Sequence, residues 1–316
     1  MKKIGLALGS GGARGWAHIG VLDALEEAGI PVHAVAGTSM GALVGGAFAS
    51  GYIGPLKEAA LGLDWKQAIY YFLEVTFPRS GLIDGTKIAG FVRRHVRKTD
   101  VESLPLPFAT VATDVLTGRK VVIDEGDMID AIRASISIPG ILTPVLRDGV
   151  TLVDGGLVDP VPVDVARRLG AQAVIAVDLN YGAVGDKVRP RSRRPGRALP
   201  GRKKASRLPL NKWQGLMRNV GARLEQFDVS VLTPARRWMT RDERPTVFDV
   251  LGNSIRIMET QITDVRLKLD PPDVLIRPEV GHLSFMEFHC AEEIIRAGYE
   301  ATRAKIGEIR ALTRAR

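Results

Sequence analysis

A single cysteine, Cys290, and five histidines are all that 316 residues hold of the side chains used for disulfides and soft-metal sites. One cysteine excludes an intramolecular disulfide and a cysteine-based zinc site, so the chain tolerates a reducing compartment. Long apolar runs are scarce too. The uncharged stretch 29–56 is interrupted by Pro31 and by Gly45-Gly46, and it carries too few large apolar residues for lipid. Its glycines at 37, 41 and 45 read as a buried helix packed closely on a sheet. The N-terminal Lys2-Lys3 followed by Ile4–Ala13 imitates a leader peptide, but it contains four glycines, meets Arg14 at once and lacks a small-residue cleavage site. The expectation is a cytoplasmic protein.

Hydrophobic residues make up 45% of the chain and charged residues 25%, the balance of a globular protein with a real core. The net charge of +9 belongs to one segment. Residues 187–207 hold ten lysines and arginines and no acid; without them 34 basic residues face 35 acidic ones. That segment has no aromatic residue for base stacking, and its prolines and glycines suggest no ordered reading element, so nucleic acid is not the expected partner. Trp213, Leu216, Met217, Val220, Leu224 and Phe227 follow as a helical apolar stripe, with Lys212, Arg218 and Arg223 off it. Basic residues beside an amphipathic helix fit peripheral docking on the anionic inner membrane surface through 187–230; a solvated linker leading to an ordinary packing helix is the alternative.

The first 180 residues alternate β-type runs with helical patterns, which predicts an α/β fold with a mostly parallel sheet. Strands are expected at Ile4–Leu8, Val32–Ala36, Phe108–Val115, Lys120–Ile123 and Ala173–Leu179, and helices at Trp16–Ala28, Met40–Ser50 and Met128–Ser135. Asp148-Gly149 between β-type runs predicts a hairpin. Residues 1–181 read as a catalytic core and 182–245 as a basic linker with an amphipathic insertion. Residues 246–316 read as the rest of the same domain, helical with a short strand at Val274–Ile276.

Gly37-Thr38-Ser39-Met40-Gly41 is a G-x-S-x-G between an expected strand and an expected helix. A sharp turn there lifts a serine hydroxyl clear of the backbone, at a helix N-terminus that favours negative charge. The loop Gly9–Gly15 also leaves a strand and opens a helix, so its N–H groups can converge on an anion. It fails the dinucleotide pattern G-x-G-x-x-G in both frames, and the second strand ends in Gly37 instead of a ribose-binding acid. For a base there are two routes. His282 or His289 would complete a Ser-Asp-His triad; Asp154, in Val153-Asp154-Gly155-Gly156, would serve as a carboxylate base. Taken alone, each of these has an ordinary structural reading as well.

The glycine loop, Gly37–Gly41, Ala134-Ser135-Ile136-Ser137-Ile138-Pro139-Gly140 and Asp154-Gly155-Gly156 occur in the order seen in patatin-like phospholipases, which residues 4–180 resemble. The resemblance implies a three-layer α/β/α fold and a Ser–Asp dyad without histidine. By position it makes Ser39 the nucleophile, Asp154 the base and Gly11, Gly12 and Ala13 the oxyanion donors, with Arg14, Gly15, Gly37, Gly41, Gly155 and Gly156 supporting them. Gly9-Ser10 stand where the family often has Asp-Gly. The implied activity is cofactor-free, metal-free hydrolysis of a lipid or other ester through an acyl-enzyme. The competing expectation is a regulatory or lipid-binding protein that keeps the fold without turnover.

Overall fold

The computed structural model describes residues 2–64, 67, 86–95, 99–181 and 247–314. The basic run and the Trp213–Phe227 stripe lie outside the described residues. The segments on either side of them belong to one compact unit.

The chain opens with β1 (Ile4–Leu8), a short 3-10 turn (Gly12–Trp16) and α1 (Ala17–Glu27). Then come β2 (Ala34–Thr38), α2 (Met40–Ala49), α3 (Ile53–Gly62) and α4 (Thr86–His95). A hairpin of β3 (Phe108–Asp114) and β4 (Lys120–Ile123) leads to α5 (Met128–Ser135). Asp127 caps α5 by accepting the amides of Ile129 and Asp130 at 2.8 and 3.0 Å. A second hairpin, β5 (Val145–Arg147) and β6 (Val150–Asp154), turns at Asp148-Gly149, both at positive φ. After α6 (Val163–Arg168) and β7 (Ala173–Val177), the described chain resumes with α7 (Val247–Leu269), β8 (Val274–Ile276) and α8 (Ala291–Arg314).

The strands form one sheet in the order β5-β6-β3-β2-β1-β7-β8, with β4 also on β3. The run from β3 through β2, β1 and β7 to β8 is parallel; the pairs involving β4, β5 and β6 are antiparallel. Both faces of the central strands are buried, which is why they read as continuous apolar runs. Pleating divides their side chains. Ile4, Leu6 and Leu8 join a large core with α1, α2, α5 and α8. On the other face Ala7, Ala36, Ala109, Val174 and Ala176 meet Val163, Val165 and Ala166 of α6 and its approach. A thick helical layer and a thin one thus sandwich the sheet, and the alanine face brings the thin layer close.

The register of β3 positions the ends of β2 and β6. Its residues Thr110 and Val111 pair with both β2 and β4, while Ala112 and Thr113 pair with both β4 and β6. β4 therefore takes one edge of β3, and β2 and β6 divide the other edge end to end. β2 runs parallel to β3 and stops at Thr38 opposite Val111; β6 runs antiparallel and stops at Asp154 opposite Ala112. Two strands arrive from opposite directions with their carboxyl ends abutting.

Candidate active site

At that junction the residue after β2, Ser39, meets the last residue of β6. The Ser39 hydroxyl donates to Oδ2 of Asp154 at 2.6 Å, and both residues are buried, 3% and 4% exposed. Ser39 sits at φ 56°, ψ −121°, a backbone state that L-residues rarely adopt and that persists only when its surroundings impose it. They do. Thr38 donates its hydroxyl to the Asp159 carbonyl at 2.8 Å, which fixes the end of β2. Gly41, in the first turn of α2, passes so near β1 that a Cβ there would stand 2.0 Å from the Leu8 carbonyl oxygen. Only glycine allows that approach.

Two serines that sequence reasoning left without a role close the junction. The Ser39 amide donates to Ser135 Oγ at 2.9 Å, and Ser135 in turn donates to the Val111 carbonyl at 2.6 Å, at the point where β2 gives way to β6. The Asp154 amide donates to the Ser137 carbonyl at 2.9 Å. The Ala134–Gly140 stretch thereby ties both partners to the C-terminal end of α5.

Asp154 accepts a second bond, from the Gly156 amide to Oδ1 at 2.8 Å. Burial pushes its carboxyl up to about 6; the bonds from Ser39 and Gly156 pull the other way. A carboxylate with that proton affinity is a better base toward a hydroxyl than an exposed aspartate. Ser39 and Gly12 also line an apolar cavity of about 60 Å³, with Trp16, Met40, Leu43, Leu142 and Phe285 among its walls.

Beneath the glycine loop lies a polar cluster. Arg14 is fully buried and donates from Nε to the Gly11 carbonyl (3.1 Å), from Nη1 to the Leu179 carbonyl (3.2 Å) and from Nη2 to Asn180 Oδ1 (3.0 Å). Burial lowers it to about 10, against the opposing pull of Glu259. The Asn180 amide group donates to Glu259 Oε2 at 3.1 Å and to Ser10 Oγ at 3.3 Å. His18 bonds through Nε2 to the Gly9 carbonyl at 2.8 Å, and burial holds it down at about 4. Neutral imidazole must therefore carry its proton on Nε2 and donate it.

The other expected residues fall as follows. Gly15 is in the short turn, Gly37 in β2, and Gly155 and Gly156 in a 3-10 turn after β6; all are buried. The Ala13 amide, expected among the oxyanion donors, donates to the Phe285 carbonyl at 2.9 Å and is not free for a substrate. His282, a triad candidate, is 60% exposed at its side chain and pairs with Glu293 at 2.9 Å, while the Ser39 hydroxyl bonds to Asp154. His289 lies in a 3-10 turn before α8.

A strand-to-helix serine bonded to a buried aspartate, beside a glycine loop on a three-layer sheet, defines a class of fold, and the comparisons agree with it. The patatin-like phospholipase family model matches residues 6–167, and the chain belongs to that family. An uncharacterized NTE family protein of Mycobacterium tuberculosis is 43% identical over 183 residues, 58% of this chain and 51% of that one. Patatin-like phospholipase domain-containing protein 6 of Homo sapiens is 37% identical over 182 residues, 56% of this chain and 13% of that one. A protein of Mycosarcoma maydis named a lysophospholipase is 37% identical over 186 residues, 58% of this chain and 10% of that one. The matched region spans about half the length of the mycobacterial relative and far less of the others.

Proposed function

We propose that the protein is a lipid acyl hydrolase in which Ser39 is the nucleophile and Asp154 its general base. The observation that carries the reading is the 2.6 Å contact from Ser39 Oγ to Asp154 Oδ2, with Ser39 also lining an apolar cavity. Ser39 Oγ attacks the ester carbonyl carbon while its proton passes to Asp154 Oδ2. The amides of Gly11 and Gly12 receive the developing oxyanion. As the tetrahedral intermediate collapses, Asp154 returns the proton to the departing alcohol. Water then attacks the acyl-serine, Asp154 takes a proton from it, and Ser39 recovers its hydrogen as the free acid leaves. No step calls on a metal or an organic cofactor.

The substrate proposed is an ester with one acyl chain in the cavity, which suits a lysophospholipid better than a molecule that must bury two chains at once. The family membership and the lysophospholipase name of one relative support the lipid class. Docking on an anionic membrane surface through residues 187–230 belongs to the same proposal, with vesicles of anionic and zwitterionic lipid as alternative carriers in the assay.

The test compares wild type, Ser39→Ala, Asp154→Asn and His282→Ala on p-nitrophenyl esters and a lipid panel, with fluorophosphonate labelling alongside. The first two substitutions are expected to reduce hydrolysis by about a thousandfold or more, and His282→Ala to leave it unchanged. An unlabelled Ser39 in a folded wild type would point to a scaffold without turnover. Near-normal rates in Asp154→Asn with loss in His282→Ala would replace the dyad by a triad. Because Asp154 must be ionised to accept a proton, kcat/KM is expected to fall as pH drops through about 6.

A further inference from the structure

The cluster beneath the glycine loop contains a carboxyl that the scheme above does not use. Glu259 stands on α7, outside the segment matched to the family, and is 4% exposed. Its helix presents Gly252, Ile255, Glu259 and Thr263 as the buried stripe, so the glutamate occupies a core position. Oε2 accepts from Asn180, and Ser10 also bonds to the carboxyl. The other oxygen lies beside Gly156. A Cβ built on Gly156 would stand 2.1 Å from Glu259 Oε1 and 3.1 Å from Asp154 Oδ1. Gly156 is therefore the spacer between two buried carboxyls, and any side chain there would wedge them apart.

Such closeness matters because buried like charges raise each other's proton affinity. The charged groups around the pair are few. Arg14, in the turn after β1, acts on Glu259, and Arg256, one turn earlier on α7, and Asp178, which follows β7, act on Arg14. The one fully buried guanidinium among the described residues thus acts on Glu259, while Asp154 is held by Ser39 and Gly156.

We infer that Glu259 is a positioning residue for the reaction, a second carboxylate that α7 sets against Asp154 so that its negative charge strengthens the base. The inference rests on the Ser–Asp reading. When Ser39 gives its proton to Asp154, the repulsion between the two carboxylates disappears, and that relief makes the transfer more favourable. Arg14 and Asn180 then retain the ionised Glu259 in place. Glu259 lies at about 7, raised first by burial and next by Asp154. The strengthened base is accordingly available only above that pH.

Glu259→Gln keeps the shape and the bond from Asn180 but cannot ionise. Wild-type kcat/KM on a p-nitrophenyl ester is expected to keep rising through about pH 7. In the variant the profile should level off about one pH unit lower, on a plateau about three- to tenfold below wild type, with KM little changed. Glu259→Asp should recover part of the high-pH rise. A folded Glu259→Gln with the wild-type profile overturns the inference while leaving the dyad intact; a wild type without Ser39-dependent hydrolysis removes both. A second readout does not depend on that variant folding. Carboxyl carbon NMR of the wild type and Asp154→Asn should show Glu259 titrating about one unit lower once the aspartate charge is gone, since coupling is reciprocal. An unmoved Glu259 titration overturns the inference.

Discussion

Ser39 and Asp154 share one hydrogen bond but back onto opposite materials. The serine faces a cavity walled by Trp16, Met40, Leu43 and Phe285, where contacts are non-directional and numerous. The aspartate bonds to the Gly156 amide, and beyond Gly156 lies the Glu259–Asn180–Arg14 cluster, held by directional hydrogen bonds. The difference teaches how each side tolerates change. An apolar wall can be trimmed or filled in small steps, whereas removing one member of a buried polar cluster leaves its partners unsatisfied. On the proposed reading, the dry side sets which acyl group fits and the charged side sets when the base is ready.

The largest expected effect lies on the charged side. Arg14→Met would leave the Gly11 and Leu179 carbonyls and Asn180 Oδ1 without their donor, and Glu259 without its counter-charge. We expect a loss of about 3–5 kcal/mol, the range for breaking a buried ionic cluster, measured by denaturant unfolding at pH 7.5. A loss below about 1 kcal/mol would mean that the two sides are equally forgiving.

Asp154→Asn sharpens the contrast from within the dyad. A carboxyl raised to about 6 in the native state, against an ordinary value of 3.8, disfavours the folded form once it ionises. Its stability contribution is fully present below pH 4 and is lost as pH climbs through 6. The asparagine variant cannot ionise. It is therefore expected to match wild type near pH 4 and to exceed it above pH 6 by on the order of 1–3 kcal/mol. Melting curves of both proteins from pH 4 to 8 test the sign; a variant less stable than wild type at pH 8 would contradict it.

The smallest effect is expected on the dry side. Met286 lines the cavity and is only half-buried, so Met286→Trp can extend into the space without overpacking the centre of the core. Hydrolysis of a long-chain ester should fall about tenfold relative to an acetyl ester, the scale of one or two methylenes in a pocket. Equal loss on both substrates would show that the cavity does not receive the acyl chain.

Much of this was legible in the chain itself, for reasons that differ by residue. Parallel strands buried on both faces leave apolar runs, so β1, β3 and β7 were visible, and the Asp148-Gly149 turn followed from its need for positive φ. The apolar pattern places β2 two residues early, since it continues through Val32 while pairing begins at Ala34. Ser39 announced itself through the geometry its glycines permit. Ser135 did not, since a serine at the end of a helix looks like any other; its work depends on the break in pairing at Val111, a tertiary fact. Ala13 holds the donor position that the resemblance implies, but its amide is taken by the carbonyl of Phe285, far along the chain. Glu259 had a signal that went unread: an acid on the stripe otherwise formed by Gly252, Ile255 and Thr263.

The shared edge of β3 has a mechanical consequence. Two side chains on elements that pack independently shift relative to each other whenever those elements slide or twist. Here the two strands that deliver the serine and the aspartate are both measured off against the same backbone, at consecutive residues Val111 and Ala112. Twisting or shearing the sheet carries the two along as neighbouring marks on one ruler. Thr38 and Asp154 are thus spaced along that edge by the rise of a single strand, about 3.3 Å per residue, and a shear of the sheet moves the ends of β2 and β6 together.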